Sequence, residues 1–174
     1  MDKLLRRRIQ IRVWSLLIIL SLSSCASIGS AKFSQSDFEV VDFGLYKAEL
    51  SREEELDSSP TGTLAVSGER HHIETTTNFP LVIGTLFGVE YIVHSEKSDR
   101  TVLRFKWIPS SPVMAESGEK ITEISFERTR TTNKVHFAGY ELTIDSELAP
   151  KSWTLQIFSK DVLLYEQTFY AIEN

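Results

Sequence analysis

The chain has only one cysteine among its 174 residues, Cys25, and this scarcity limits what holds the fold together. A single cysteine excludes any disulfide within the chain. The most apolar run, residues 13–20, is shorter than the roughly 20 residues that span a bilayer. The fold must therefore depend on an apolar core, and the thiol of Cys25 must serve another purpose.

Motifs for the common enzymatic chemistries are also missing from the sequence. There is no Gly-x-Ser-x-Gly nucleophile elbow and no glycine-rich phosphate loop between a strand and a helix. The acidic residues are numerous, but nothing in their spacing selects a pair for glycoside hydrolysis. The sequence therefore predicts no catalytic residue, no cofactor and a protein that is not an enzyme.

Four histidines, at positions 71, 72, 94 and 136, and one acidic run are the candidates for binding a metal. His71 and His72 are adjacent in a predicted strand, so they face opposite ways and cannot both ligate one ion without a bulge. A site joining one of them to Glu69 or Glu74 stays open beside solvated strand residues. The acidic run at 53–57 lacks the spacing and glycine of a calcium loop. No metal site is predicted.

The N-terminal segment is typical of a secretion signal. Basic residues precede the apolar run, and Leu22, Ser23 and Ser24 then lead to Cys25. This ending resembles a bacterial lipobox, which implies cleavage before Cys25 and a diacylglycerol thioether on it, hence a lipoprotein anchored in the cell envelope. The alternatives are an ordinary cleaved signal and a signal anchor. No aspartate follows the cysteine, so the outer membrane facing the periplasm is favoured if the cell has two membranes.

Charge excludes one class of partner. From Cys25 onward the chain has 14 Lys and Arg against 23 Asp and Glu, a formal charge of −9. An acidic domain of this kind is poorly suited to nucleic acid. Arg128, Arg130 and Lys134 form a local basic hairpin that suits an acidic partner or a sugar carboxylate; the alternative is a solvent-facing turn.

The organisation along the chain is simple. We predict a signal peptide at 1–24, a flexible tether at 25–36 and one domain at 37–174. The tether is small and polar, and its 12 residues reach at most about 40 Å from the membrane.

Alternating apolar and polar residues predict an all-β domain, an antiparallel β-sandwich of about 7–9 strands. In the first strand the apolar set changes face between Val40 and Val41, which indicates a β-bulge. Residues 49–60 are predicted to be an exposed loop, and residues 63–77 a long strand broken at Gly68. Pro80 has no main-chain N–H to donate, so the segment that contains it is not predicted to be a central strand of a sheet. Residues 153–158 and 162–172 form a hairpin, with Trp153 in the core.

Three segments carry a family resemblance: Val-Asp-Phe-Gly-Leu-Tyr at 41–46, Gly-Thr-Leu-Phe-Gly-Val-Glu-Tyr at 84–91, and Glu-Leu-Ala-Pro-Lys-Ser-Trp-Thr-Leu-Gln at 147–156, continuing to Leu164 and Phe169. Together they resemble the bacterial domain of unknown function family 3859 over nearly all of the mature chain. The resemblance implies an immunoglobulin-like sandwich and brings no catalytic residue with it.

These observations predict a membrane-anchored, non-enzymatic binding or interaction module of the bacterial envelope. Its partners would be the membrane, through the lipid on Cys25, and another envelope protein or a polysaccharide. Two alternatives remain: an envelope hydrolase whose site assembles only in three dimensions, and a purely structural envelope lipoprotein.

Overall fold

The structure, a computed structural model, describes residues 33–172. The predicted signal peptide, Cys25 and most of the predicted tether lie outside the described residues. Within residues 33–172, no helix is both long enough and apolar enough to cross a membrane.

The described chain is built almost wholly of strands, joined by short turns. In chain order they are β1 (Phe38–Glu55), β2 (Thr63–Glu74), β3 (Asn78–Pro80), β4 (Leu86–Val93), β5 (Arg100–Pro109), β6 (Val113–Met114), β7 (Lys120–Ile121), β8 (Ile124–Thr131), β9 (Val135–Glu141), β10 (Ser152–Ser159) and β11 (Val162–Ile172).

Nine of these strands form the two main sheets of a sandwich, in agreement with the predicted 7–9, and β6 and β7 add a two-stranded ribbon. One sheet has the order β2-β1-β4-β9 and the other β3-β11-β10-β5-β8. The pairs are antiparallel except β3 with β11, which is parallel. β3 lies at a sheet edge, where Pro80 is tolerated because proline cannot donate to a ladder.

Buried and more exposed side chains alternate along the central strands, which places the core between the two sheets. In β4 the side chains of Val89, Tyr91 and Val93 are fully buried, and in β5 Leu103, Phe105 and Trp107 are buried while Val102 is 51 % exposed. In the terminal hairpin Trp153, Leu155 and Ile157 are fully buried. The predicted core position of Trp153 is confirmed.

Three local predictions about β1 and β2 meet different outcomes. The bulge is confirmed, because the register between β1 and β4 shifts between Val40 and Asp42. The loop predicted at 49–60 is wrong over most of its length. Residues up to Glu55 continue β1 and pair with β2, so main-chain hydrogen bonds rather than apolar alternation keep this polar segment extended. The break predicted at Gly68 takes the form of a register shift: β2 continues as one strand, but its pairing with β1 shifts between Ser67 and Arg70.

The domain begins earlier than the predicted boundary at residue 37. Phe33 is only 6 % exposed and belongs to the core cluster. A 3-10 turn at Gln35–Asp37 follows it, and the Gln35 side chain donates to the carbonyl oxygen of Leu163 at 3.3 Å. The last residues of the predicted tether are therefore part of the folded domain.

Three glycines lie side by side across the first sheet. Gly44 on β1 pairs with Gly88 on β4, and Gly88 pairs with Gly139 on β9. A Cβ on Gly88 would lie 2.4 Å from the carbonyl oxygen of Ala138, and one on Gly139 would lie 2.2 Å from the ring of Phe137. In this glycine row Gly139 leaves room for the ring of Phe137, which meets Tyr46 edge-on with ring centroids 4.7 Å apart.

Candidate functional site

The outer half of the hairpin formed by β1 and β2, here called the arm, comprises residues 52–66. Two register shifts in β1, on either side of Leu50, separate the arm from the rest of the sheet. Such irregularities bend a strand and increase its twist. The arm can thus leave the plane of its own sheet and reach the other one.

The arm is fixed to β8, the edge strand of the second sheet. The carboxylate of Glu54 contacts the guanidinium of Arg128. The hydroxyl of Ser58 donates to the carbonyl oxygen of Ser125 at 3.2 Å and lies 3.4 Å from the amide nitrogen of the same residue. The amide of Glu116 donates to the carbonyl oxygen of Pro60 at 3.0 Å. These contacts bring the arm against residues from the second half of the chain.

A groove of about 400 Å³ lies among the arm, β8 and β9. Its charged side chains are mostly arginines, and it is called the arginine groove here. The side chains that define it are Arg52, Glu54, Arg70, Arg128, Arg130 and His136, with the rings of Phe105, Phe126 and Phe137. On a domain that is acidic overall, these arginines form a concentrated positive site.

Three of the arginines stack on phenylalanine rings. The guanidinium carbon lies 5.0 Å from the ring centroid for Arg70 on Phe137, 5.4 Å for Arg128 on Phe126, and 5.6 Å for Arg130 on Phe105. A stacked guanidinium has lost much of its rotational freedom while its N–H edge stays available. The groove therefore presents its positive charges in fixed positions.

Glu54 is the only acidic residue that lines the groove among the described residues, and it bridges two arginines. Arg52 donates to its Oε1 from Nε at 3.0 Å and from Nη2 at 2.8 Å, while Arg128 contacts Oε2. The hydrogen bond from Arg52 lowers the pKa of Glu54, and the charges of Arg128 and Arg130 act in the same direction. The carboxylate is therefore ionised and held between two guanidinium groups.

Arg130 is placed differently from Arg52, Arg70 and Arg128, because no carboxylate pairs with it in the part of the chain that is described. Its Nε donates to the hydroxyl of Tyr91 at 3.3 Å, and this hydrogen bond helps to orient the Arg130 side chain. Burial raises the pKa of Tyr91 to about 12, so this phenol stays neutral and carries no charge to pair with Arg130.

His136 lies beside these charges as a neutral imidazole. Burial lowers the pKa of His136, the hydrogen bond to Thr131 opposes this shift, and the positive charges of Arg130 and Arg70 lower the pKa further. Its Nε2 lies 2.7 Å from the carbonyl oxygen of Thr131, which can only accept, so Nε2 carries the proton. The other ring nitrogen is then an acceptor.

The predicted basic surface is divided by the structure. Arg128 and Arg130 alternate with Thr129 on β8 and line the groove, whereas Lys134 is exposed in the turn before β9 and is not among the lining residues. Arg52, Glu54 and Arg70 were not anticipated, since they come from segments distant in sequence. The charge run that contains Arg52 and Glu54 was interpreted as a loop, and sequence offers no signal that it would cross to β8.

The metal candidates are separated and engaged elsewhere. His72 lies 3.2 Å from Asp42, and His94 lies 2.6 Å from Glu39. Across residues 33–172, no three His, Cys, Asp or Glu side chains come together in an arrangement that could hold a metal ion. The acidic run at 53–55 belongs to the arm as a strand, with Glu54 turned toward arginines.

One carboxylate is buried, and its hydrogen bonds indicate a structural role. Glu147 is 1 % exposed and accepts from the hydroxyl of Tyr140, from the amide and hydroxyl of Thr143, and from the amide of Ile144 at 3.0 Å. Burial and this carboxylate together raise the pKa of Tyr140. With its lone pairs occupied, Glu147 orders the turn before β10.

Sheet order and core define an immunoglobulin-like β-sandwich, as predicted. The chain is similar to a solved structure of that class, the crystal structure of an immunoglobulin-like protein (PA1606) from Pseudomonas aeruginosa. The identity is 19 % and the TM-score 0.56, over 80 % of this chain and 100 % of that one.

The chain belongs to the family described as Domain of unknown function (DUF3859), whose model matches residues 34–171. The family predicted from the three segments is therefore confirmed. No curated protein matches the chain.

Proposed function

We propose that this protein is a lipid-anchored, non-enzymatic binding module of the bacterial envelope, which holds an anionic partner in the arginine groove. The arginine groove is the observation that carries the proposal. Four arginines and one carboxylate, Glu54, line it among the described residues, on a domain with a large excess of acidic residues. Concentrating one sign of charge in a cleft attracts ligands of the opposite sign.

The anchor would keep this groove close to a membrane. From Cys25 to the buried Phe33 the chain contains eight residue steps, which span at most about 28 Å at full extension. The partner we propose is an envelope polysaccharide or an acidic face of another envelope protein close to that membrane. The module would then act by contact, as a tethered receptor does.

Replacing Cys25 by alanine should abolish lipid attachment and release the protein from membranes, because two or three acyl chains are what holds it there. Cells grown with a labelled fatty acid, followed by membrane fractionation, test this. Wild-type protein should carry label and sediment with membranes. A Cys25→Ala protein that is still labelled, or a wild-type protein without label, contradicts the anchor.

The unanchored Cys25→Ala protein also tests the groove. It should still sediment with isolated envelope material at low salt, and a further Arg130→Gln change should weaken that binding by about tenfold, as expected for one charge-assisted contact. Lys134→Gln is the matched control, since it removes the same charge from the neighbouring turn outside the groove. Equal effects of the two changes would show that only net charge matters.

A further inference from the structure

We propose that the ligand of the arginine groove is a saccharide bearing a carboxylate, and that Glu54 is an internal carboxylate which the ligand's own carboxylate replaces. This inference rests on the proposed function and specifies the chemistry of the same site.

The first argument is that the groove already holds a group of this kind. The two oxygens of Glu54 are shared between Arg52 and Arg128, so the arrangement of these guanidinium groups fits one planar carboxylate. Planar, forked donors recognise carboxylates with defined geometry. The side chain of Glu54 remains 30 % exposed. A carboxylate arriving from solvent can therefore reach the position that Glu54 occupies.

The second argument is the charge that Glu54 leaves unbalanced. Arg70 forms a long ion pair with Glu90, with 3.6 Å between Nη2 and Oε1. Arg130 has no carboxylate partner among the described residues. The Nε atom of Arg70 is buried without a hydrogen-bond partner within the same residues. After Glu54 is displaced, one ligand carboxylate balances only part of this charge, so a ligand with more than one carboxylate suits the groove best.

The third argument concerns hydroxyl groups. With Nε2 of His136 donating to Thr131, its Nδ1 is an acceptor, and no hydrogen bond engages it within residues 33–172. An acceptor beside arginines suits a hydroxyl group and repels a carboxylate. An acidic saccharide combines carboxylates with hydroxyl groups. Its carboxylates suit the arginines of the groove, and its hydroxyl groups suit Nδ1 of His136.

The fourth argument is the shape of the site. A volume of about 400 Å³ falls in the range of small-ligand sites. An extended acidic peptide would need the free edge of β8 for strand pairing. The arm covers the start of that edge, because Ser58 contacts both the carbonyl oxygen and the amide nitrogen of Ser125. The arm therefore favours a compact ligand over an added strand.

The test uses the full-length protein in detergent and three probes: the dimer of galacturonic acid, the neutral dimer of galactose with the same linkage, and inorganic phosphate. Titration calorimetry at low salt should show that the acidic dimer binds at least about tenfold more tightly than the neutral one. Phosphate at the same concentration should not displace it. Equal binding of the two dimers, or displacement by phosphate, would overturn the assignment of a carboxylated saccharide.

Variants of the arm test the role of Glu54. Glu54→Gln should tighten binding of the acidic dimer by about tenfold, because the competing carboxylate is gone. Glu55→Gln, which removes the same charge from the exposed neighbouring position, should leave the affinity unchanged. Unchanged or weaker binding by Glu54→Gln, with an unfolding midpoint equal to wild type, would overturn the displacement model. Glu54→Asp, which keeps the charge on a shorter stem, serves if Glu54→Gln proves unstable, and it too should bind more tightly.

The two proposals fail in different ways. If envelope material binds in an Arg130-dependent manner but the acidic dimer does not, the binding module stands and the saccharide assignment falls. If neither envelope material nor any probe binds, both fall.

Discussion

Replacing Trp153 by alanine should lower the free energy of unfolding by about 4 kcal/mol, the middle of the range for large aromatic-to-alanine changes in a core. Trp153 is fully buried on β10 and stacks on Tyr140 with ring centroids 4.3 Å apart. Its neighbours belong to both sheets, so they cannot collapse into the cavity without distorting the sandwich. Urea denaturation followed by circular dichroism measures the loss.

Two comparisons separate volume from chemistry at this position. The indole Nε1 of Trp153 is buried without a hydrogen-bond partner in the described chain. Trp153→Phe should cost much less than Trp153→Ala, because neither change breaks a hydrogen bond and phenylalanine leaves the smaller cavity. Val102→Ala, at a position 51 % exposed on β5, is the surface control. A Trp153→Ala loss as small as that of the control would show that Trp153 does not support the core.

Replacing Gly44 by alanine should be comparably damaging, with a loss of about 3 kcal/mol or more from combined strain and collision. Gly44 has φ +140°, a conformation that residues with a side chain rarely adopt, and its Cβ would lie 1.9 Å from the carbonyl oxygen of Glu74. That oxygen belongs to the main chain of β2, so relief requires movement of a strand. The unfolding midpoint in urea gives the magnitude.

Gly118→Ala is the matched control for strain alone. Gly118 also has a positive φ, +85°, but a Cβ there meets nothing within 4 Å. It should therefore cost only about 1 kcal/mol, the ordinary penalty of a left-handed conformation. If both variants lose the same amount, the close approach at Gly44 contributes nothing.

Much of the sandwich was predictable because its central strands alternate strictly. β11 has the bounds expected from the sequence, and β10 differs by one residue at each end. Along β10 the apolar residues Trp153, Leu155 and Ile157 face the core and the polar residues between them do not, so local pattern and global fold agree. β11 follows the pattern less closely, because Val162, Tyr170 and Ile172 stay exposed. The β1 part of the arm was not predicted as a strand, because its residues do not alternate between apolar and polar. It is extended because it pairs with β2.

The site was only half predictable for a related reason. Arg128 and Arg130 lie two residues apart on one strand, so sequence spacing alone places them on the same face. Arg52 and Arg70 reach the same groove because β1 bends and the arm crosses to β8. That geometry depends on the register shifts beside Leu50. Gly68 marks the first of them in the sequence, but nothing in the sequence shows that the arm reaches β8. A groove made by distant segments requires the three-dimensional structure.

The glycine row has a consequence for how the first sheet assembles. A one-residue slip of β4 would turn Phe87 and Val89 outward, and a two-residue slip would bring Leu86 or Glu90 opposite Gly44 and Gly139. The second slip keeps the apolar face inward and would otherwise be tolerated. It fails because the Ala138 carbonyl leaves no space for a Cβ in that row. The three glycines therefore select the register of the sheet. Only the observed alignment of β1, β4 and β9 places a residue without a Cβ wherever their main chains approach closely.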